Sequence, residues 1–253
     1  MWTPYRDDPW ALKDFPLPRR RILSDVFVWD FEDGIAAHKP VDGYDIILVS
    51  GAGAAEALRS DIGGTDRVMV MGEVAPEVHE ALTMLGFEER RQWDFFSLED
   101  EPEPVPDVKM ERLKDTQEVR NVLMSSYPNA DMRTSKGGRW WGLRVDGALA
   151  AAGANDTWRG AGIDGGVEWN SHLRSFVVHK NFRGEGLGTK LFNAMLFEEW
   201  RRNGWVQWGS WADSKSSQGL MASLDVEPTC RVTNFRREGT VSDSVGFPGS
   251  ETI

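Results

Sequence analysis

Residues 173–200 constrain the fold of this 253-residue chain more than any other stretch. An apolar, β-branched segment, Leu173-Arg174-Ser175-Phe176-Val177-Val178-His179, reads as a strand. It leads into Arg183-Gly184-Glu185-Gly186-Leu187-Gly188 and then into residues 189–200, where apolar side chains at 191, 192, 195, 196 and 200 repeat at helical spacing. A strand that turns through glycines into a helix makes a phosphate-binding geometry. Glycine puts no Cβ between backbone and ligand, and the free N–H groups that open the helix point at anionic oxygens. Two common versions are excluded by spacing. No Gly-Lys-Ser/Thr closes the turn as in a P-loop, and the glycines do not fall where a dinucleotide fingerprint needs them.

The pattern Arg-x-x-Gly-x-Gly, preceded by Val178-His179-Lys180-Asn181-Phe182, resembles the signature of the GNAT acyltransferase superfamily. The resemblance is close from Phe176 to Leu191, with Lys180 where the family often has Pro. It implies a mixed α/β fold, acetyl-CoA as co-substrate and no metal. The loop of this family wraps the CoA pyrophosphate, and its preceding strand pairs with the pantetheine arm. Carried onto this chain, the contacts fall to Phe176, Val177 and Val178 on the strand, and to Arg183, Gly184, Glu185, Gly186, Leu187, Gly188 and Thr189 in the turn. Ser214, Ser216 and Ser217, clustered where the next strand gives way to a helix, are placed to hydrogen-bond the sulfur or the pantetheine, with Ser214 and Ser217 counted among the cofactor contacts.

The element order extends the resemblance. Residues 98–107 are acidic and Pro-rich, as an extended linker is, and they divide the chain into 1–105 and 106–253. Beyond the linker the sequence reads as a strand at 108–112, a helix at 115–125 and a polar loop at 126–138. Strands at 139–145 and 148–155 follow, joined by the hairpin signal Asp146-Gly147. After the glycine turn and its helix come a strand at 205–211, a helix near 216–224, and strands near 229–237 and 241–246. This is the GNAT order and covers residues 107–246.

The first part reads as an N-terminal α/β lobe. A strand at 45–50 runs into Gly51-Ala52-Gly53-Ala54-Ala55, which superficially suggests a nucleotide-binding turn but lacks the third glycine. A strand at 67–71, a helix at 76–85, Gly86-Phe87 and a strand at 92–98 resemble the closing half of a GNAT domain. A degenerate GNAT-like lobe without a cradle and an unrelated α/β cap both satisfy that pattern.

Catalysis is where the sequence departs from the family. Acylating an amine needs a deprotonated nitrogen, a polarised thioester carbonyl and a stabilised leaving thiolate. Family members commonly polarise the carbonyl with a main-chain N–H of the strand, here Val177 or Val178. They commonly protonate the thiolate with a Tyr that here is Met221, while Ser214 stands where the family has Asn. Met donates no proton. The chain has three Tyr, and of these Tyr127, in the loop after the first helix of the second part, is placed to enter from the substrate side. For the base, period-2 alternation puts Glu168, Asn170, His172 and Arg174 on one face of the strand if it is regular. His172, with an unperturbed pKa near 6.5, suits the work, and Glu168 shares its face. The expected catalytic set is His172, Glu168 and Tyr127. Trp205, Trp208 and Trp211 beside the cofactor channel, and Trp140 and Trp141, are read mainly as core.

Charge bears on partners. Residues 1–105 carry 10 Lys and Arg against 22 Asp and Glu, and the remainder carries 19 against 18. Binding nucleic acid needs a basic footprint, so it is not expected as a partner. No apolar run is long enough for a membrane span, the first residues lack a signal-peptide pattern, and Cys230 is the single cysteine. A cytoplasmic monomer or homodimer is expected. The activity implied is N-acetyl transfer from acetyl-CoA to the amine of a small molecule or amino acid. The alternative is a CoA-binding regulatory protein that has lost turnover.

Overall fold

The structure, a computed structural model, describes residues 3–4, 27–41, 44–60, 62, 64–105, 108–114, 117–126, 138–161 and 167–237. Among these the chain forms a mixed α/β fold that divides into two compact units. One unit comprises Met1–Asp94, Arg159–Glu168 and Thr229–Val241; the other comprises Phe95–Trp158, Trp169–Pro228 and Ser242–Ile253. The units therefore interleave along the sequence instead of meeting once at the acidic linker.

In the first unit, β1 (Thr3–Pro4) pairs with β2 (Phe27–Phe31), and β2, β3 (Gly34–Val41) and β4 (Tyr44–Gly51) form an antiparallel meander. Phe31 opposes Gly34, so Glu32 and Asp33 make a two-residue turn. The sequence reading does not include this hairpin, whose Glu32-Asp33 loop carries no two-residue turn signal. Next, α1 (Ala54–Ser60) crosses to β5 (Arg67–Met71), which lies parallel to β4. Helix α2 (Pro76–Met84) starts with Pro in its first turn, where the missing N–H costs nothing, and gives way to Gly86 at φ +77°. It leads into β6 (Phe87–Leu98), five residues longer at its start than the sequence suggested. The last described strand, β12 (Cys230–Arg237), runs antiparallel to β5.

In the core of this unit the helices meet the sheet largely through alanines and valines. Ala54, Ala55, Ala57 and Leu58 of α1 pack with Val78, Ala81 and Leu82 of α2 over Val49, Val68 and Val70. Ala is the best helix former and lets the helix lie close to the sheet. Buried Asn234 of β12 is satisfied on both sides. It accepts from Arg67 Nη2 at 2.8 Å and donates to the carbonyl of Arg91 at 2.8 Å.

The second unit contains the end of β6 from Phe95, β7 (Glu111–Leu113), α3 (Gln117–Ser126), β8 (Arg139–Val145), β9 (Ala148–Ala161) up to Trp158, β10 (Val167–Val178) from Trp169, α4 (Leu187–Asn203), β11 (Val206–Trp211) and α5 (Lys215–Ser223). Its strands are ordered β7-β8-β9-β10-β11. The β8–β9 hairpin turns at Asp146 and Gly147, with φ of +49° and +83°, the left-handed pair a two-residue hairpin requires. On one side of the sheet Leu191, Phe192, Met195 and Leu196 of α4 pack on Leu173, Phe176, Val206 and Trp208. On the other, Val119, Val122 and Leu123 of α3 pack on Trp140, Leu149 and Val177. Trp208 stacks on Phe96 at 5.2 Å and meets Phe192 edge-on at 5.4 Å. Each such pair adds about 0.5–1.5 kcal/mol beyond its area, and together they fix α4 against the sheet.

Strand β10 is not regular. Ser175 has φ +51°, and Leu173 and Phe176 both face the α4 cluster while Val177 faces the α3 cluster. Side chains three apart share a face only if the alternation slips by one residue, as at a bulge. Alternation carries through His172 and Arg174 and then changes phase before the residues that reach the glycine turn.

The far end of α4 is held by a buried carboxylate. Glu199 is fully buried and accepts from Arg139, from Trp141 Nε1 at 3.0 Å and from Asn155 Nδ2 at 2.7 Å. Asn155 Oδ1 accepts in turn from Ser171 Oγ at 3.1 Å. Breaking such a buried pair by removing one partner typically costs about 3–5 kcal/mol, so this network sets the position of the helix whose other end meets the turn.

Candidate functional site

Parallel pairing of β10 and β11, with His172 opposite Gln207 and Leu173 opposite Trp208, directs both strands' carboxyl ends toward one cleft. Ligands of open α/β sheets enter at that end. The cavity there is about 350 Å³ and has four walls. Phe176, Val177 and Val178 come from β10; Phe182, Arg183, Gly184 and Gly186 from the turn; Leu187, Gly188 and Thr189 from the start of α4. Ser216, Ser217, Gly219, Leu220 and Ser223 of α5 close it.

The turn is open toward this cavity. Gly184 and Gly186 have φ of +84° and +71°, and a Cβ on either would meet nothing within 4 Å. Gly186 is the N-cap of α4 and supplies no side chain to its first amides. The N–H groups of residues 187–189 have no intrahelical acceptor, as at any helix start, so the site presents donors and the positive end of a 17-residue helix. A Cβ on Gly188 would touch Val178 Cγ2 at 3.4 Å, so that glycine serves close packing of helix on strand. Arg183 is exposed, and its Nε donates to the carbonyl of Val178 at 3.4 Å, which leaves the guanidinium at the mouth. His179 has a local role: its Nδ1 accepts from the amide of Asn181 at 3.3 Å and caps the 3-10 turn Lys180–Phe182.

Helix α5 presents Ser216, Gly219, Leu220 and Ser223 to the cavity, positions that fall on one helical face. Ser214 is its N-cap. The Ser214 Oγ accepts from the amide of Ser217 at 3.4 Å and from Ser217 Oγ at 2.9 Å, and lies 3.3 Å from Ser216 Oγ. At the other end of the face, Ser223 Oγ lies 3.2 Å from Thr189 Oγ1.

Of the residues expected at the cofactor, Phe176, Val177, Val178, Arg183, Gly184, Gly186, Leu187, Gly188, Thr189 and Ser217 line the cavity; Glu185 and Ser214 do not. Glu185 is exposed, and Ser214 sits behind Ser217 as the cap. The sequence reading missed Phe182, Gly219, Leu220 and Ser223 as lining. Helical spacing forward from Ser216 was the signal that would have found the α5 residues. Met221 is buried, and its Sδ accepts from Trp208 Nε1 at 3.1 Å, so it belongs to the core. Trp140, Trp141, Trp205 and Trp208 are buried as well.

The expected catalytic set is less gathered. His172 is fully buried in the middle of β10 and is not among the cavity-lining residues. Glu168 lies on β10, but its side chain is outside the described residues, as is Tyr127 altogether. Among the described residues no helix is long and apolar enough to cross a membrane.

A parallel strand pair, an uncapped helix start and a glycine turn open to a cleft define the site of this α/β protein. The profile of the acetyltransferase (GNAT) family matches residues 91–224, more than half of the sequence, and the chain belongs to that family. Solved structures share the fold over most of its length. A GNAT-family acetyltransferase from Colwellia psychrerythraea is 14% identical, with 91% of this chain and 90% of that one covered and a TM-score of 0.53. A functionally unknown conserved protein from Staphylococcus epidermidis is 10% identical, with 88% and 98% covered and a TM-score of 0.56. A GNAT-like protein from Streptococcus suis is 12% identical, with 91% and 97% covered and a TM-score of 0.50. No curated protein matches the chain.

Proposed function

We propose that this acetyltransferase-family protein transfers an acetyl group from acetyl-CoA to the amine of a small molecule or amino acid, by direct attack within a ternary complex. The observation that carries this reading is the open glycine turn at the cleft, where a Cβ on Gly184 or Gly186 would meet no protein atom. Backbone that keeps left-handed glycines with free space beyond them is shaped for a ligand, and the amides of residues 187–189 suit a pyrophosphate. Arg183 adds a charged donor at the mouth. The end of β10 and the face of α5 bound a channel for the pantetheine arm.

Bound acetyl-CoA would supply the activated thioester. The chain's own groups orient it, and the N–H of Val177 or Val178 is proposed to polarise the carbonyl. Glu168 or His172 is proposed to take the acceptor's proton through water, a relay that the burial of His172 requires for that residue. Tyr127 is proposed on the acceptor side. The first unit runs through hairpin, third strand, helix, parallel strand and helix, as the second does, and we propose it as a GNAT-like lobe that binds no CoA.

A second reading, CoA binding without turnover, is favoured by Met221, which is buried against Trp208 and has no proton to give. One assay separates the two: acetyl-CoA with a panel of amines, following free thiol, on the wild type, Glu168→Gln and His172→Ala. Thiol release with some amine, lowered about tenfold or more in one variant, supports the transferase and its base. CoA binding with no release on any amine supports the second reading. Absence of CoA binding overturns both.

A further inference from the structure

Met221 leaves open what stabilises the sulfur when the thioester breaks, and α5 carries an answer. Three hydroxyls at its start form a chain with a direction. Ser217 Oγ donates to Ser214 Oγ at 2.9 Å, which spends the Ser217 proton. Ser214 Oγ then has its own proton to give, and Ser216 Oγ lies 3.3 Å away. The Ser214 oxygen is also held by the amide of Ser217 at 3.4 Å. Either hydroxyl could donate across that contact; with two donors already on Ser214, the arrangement in which Ser214 donates to Ser216 is the one that uses every proton once. The last proton of the chain, on Ser216, is the one left to point into the cavity that Ser216 lines. Hydroxyls linked in this order polarise one another, which strengthens the terminal donor.

Position along the cleft agrees. Thr189 at the start of α4 touches Ser223 through their hydroxyls at 3.2 Å, which marks the phosphate end of α5. Ser216 precedes Ser223 by two helical turns, about 10 Å along the axis. An extended pantetheine arm is about as long as four residues of chain, roughly 14 Å from phosphate to sulfur. Running past Ser223 and the open side of Gly219, it brings the sulfur to the level of Ser216 or just beyond.

We propose that Ser216 is a catalytic residue that donates a hydrogen bond to the CoA sulfur, with Ser214 and Ser217 as the residues that position and polarise it. This rests on the acetyl-CoA reading above. As the new C–N bond forms and the C–S bond breaks, the electron pair passes to sulfur. Ser216 stabilises that thiolate while keeping its own proton, because an aliphatic hydroxyl is a far weaker acid than a thiol of pKa about 8.5. Water supplies the thiol proton afterwards. A preorganised donor aimed at developing charge is a common source of rate enhancement.

The test needs no acceptor. Calorimetry first measures CoA binding, and ultraviolet absorbance of the thiolate then gives the pKa of bound CoA thiol in the wild type, Ser216→Ala and Ser216→Thr. Ser216 is exposed and caps nothing, so the variants fold. The expected result is a bound thiol more acidic than free CoA in the wild type, a shift mostly lost in Ser216→Ala and kept in Ser216→Thr, with CoA affinity changed less than about threefold. Tight CoA binding with an unshifted thiol, or a shift that Ser216→Ala leaves intact, overturns the hydroxyl chain while sparing the cradle. Loss of CoA affinity in Ser216→Ala without a change in thiol acidity makes Ser216 a pantetheine contact and also overturns it. Failure of the wild type to bind CoA removes the cradle reading itself.

Discussion

Two turns in this molecule share one sequence pattern and serve opposite ends. Each follows a strand, passes through glycines and opens a helix that leads to a parallel strand. At Gly51 and Gly53 in the first unit the glycines are filled by the protein. A Cβ on Gly51 would overlap the Asp33 carbonyl and lie 2.7 Å from Gly34 Cα, and one on Gly53 would meet the Asp33 carboxylate and lie 2.9 Å from Phe31 Cβ. A Cβ on Gly34 would in turn stand 2.8 Å from the amide of Ala54. The β2–β3 hairpin thus occupies the place a phosphate would take, and the seven-residue α1 follows directly. At Gly184 and Gly186 in the second unit the same test meets nothing. Glycine is required at the first turn because chain comes too close, and at the second because of its left-handed backbone and what can approach from outside. A glycine pattern alone does not tell an open turn from a filled one; the space beyond it does.

The largest effect that would break this contrast is expected at Gly186. Gly186→Asp meets no steric barrier, since its Cβ has open space, and Asp tolerates φ +71° better than most residues. It places a carboxylate among the amides proposed to hold pyrophosphate. CoA affinity should fall at least about hundredfold, equivalent to about 2.7 kcal/mol, with the melting temperature little changed. Calorimetry showing unchanged affinity in the folded variant would remove the cradle assignment.

Gly51→Ala should behave in the reverse way. Left-handed strain at φ +77° and overlap with backbone of the hairpin should together cost about 2–4 kcal/mol. The fraction that stays folded should bind CoA as the wild type does. Denaturant unfolding checks the first half and calorimetry the second. An undiminished stability would show that the hairpin can give way and that the two turns differ less than their geometry indicates.

The smallest effect is expected for Asp33→Ala. Asp33 is exposed, so its removal should change stability by no more than about 1 kcal/mol. It should create no phosphate binding, because the Asp33 carbonyl and Phe31 still fill the turn. Titration with inorganic phosphate decides this. Saturable binding that appears only in the variant would recast the first turn as a masked anion site.

Much of the second unit was legible in the residues. Strand β8 falls where its aromatic run puts it, as β5 of the first unit does with its Val and Met run, and the Asp146-Gly147 signal gives the left-handed hairpin turn. These features depend on a few adjacent residues, so a local reading reaches them. The bulge at Ser175 was not legible, because serine carries no mark of a positive φ and the slip shows only in which core each neighbour enters. The burial of His172 was equally hidden, since period-2 alternation says which residues share a face and not what covers that face. The face of α5 was half legible: the serines stood out, whereas Gly219 and Leu220 gained meaning only once the helix had an orientation.

By itself, the sequence determined the family, the turn that carries its signature and the methionine at position 221, where the resemblance leads one to expect a tyrosine. Those follow from residue identity and short spacing, which sequence records directly. Only the tertiary structure decided which of two glycine turns stays open, how the start of α5 gathers three hydroxyls beside the cleft, and how the units divide the chain. The last strand, β12, shows the reason. Nothing in residues 230–237 names a partner, yet Phe235 packs with the core of the first unit opposite Val68 of β5. Strand pairing is a contact between distant segments, chosen by what each can bury, and no local pattern contains it.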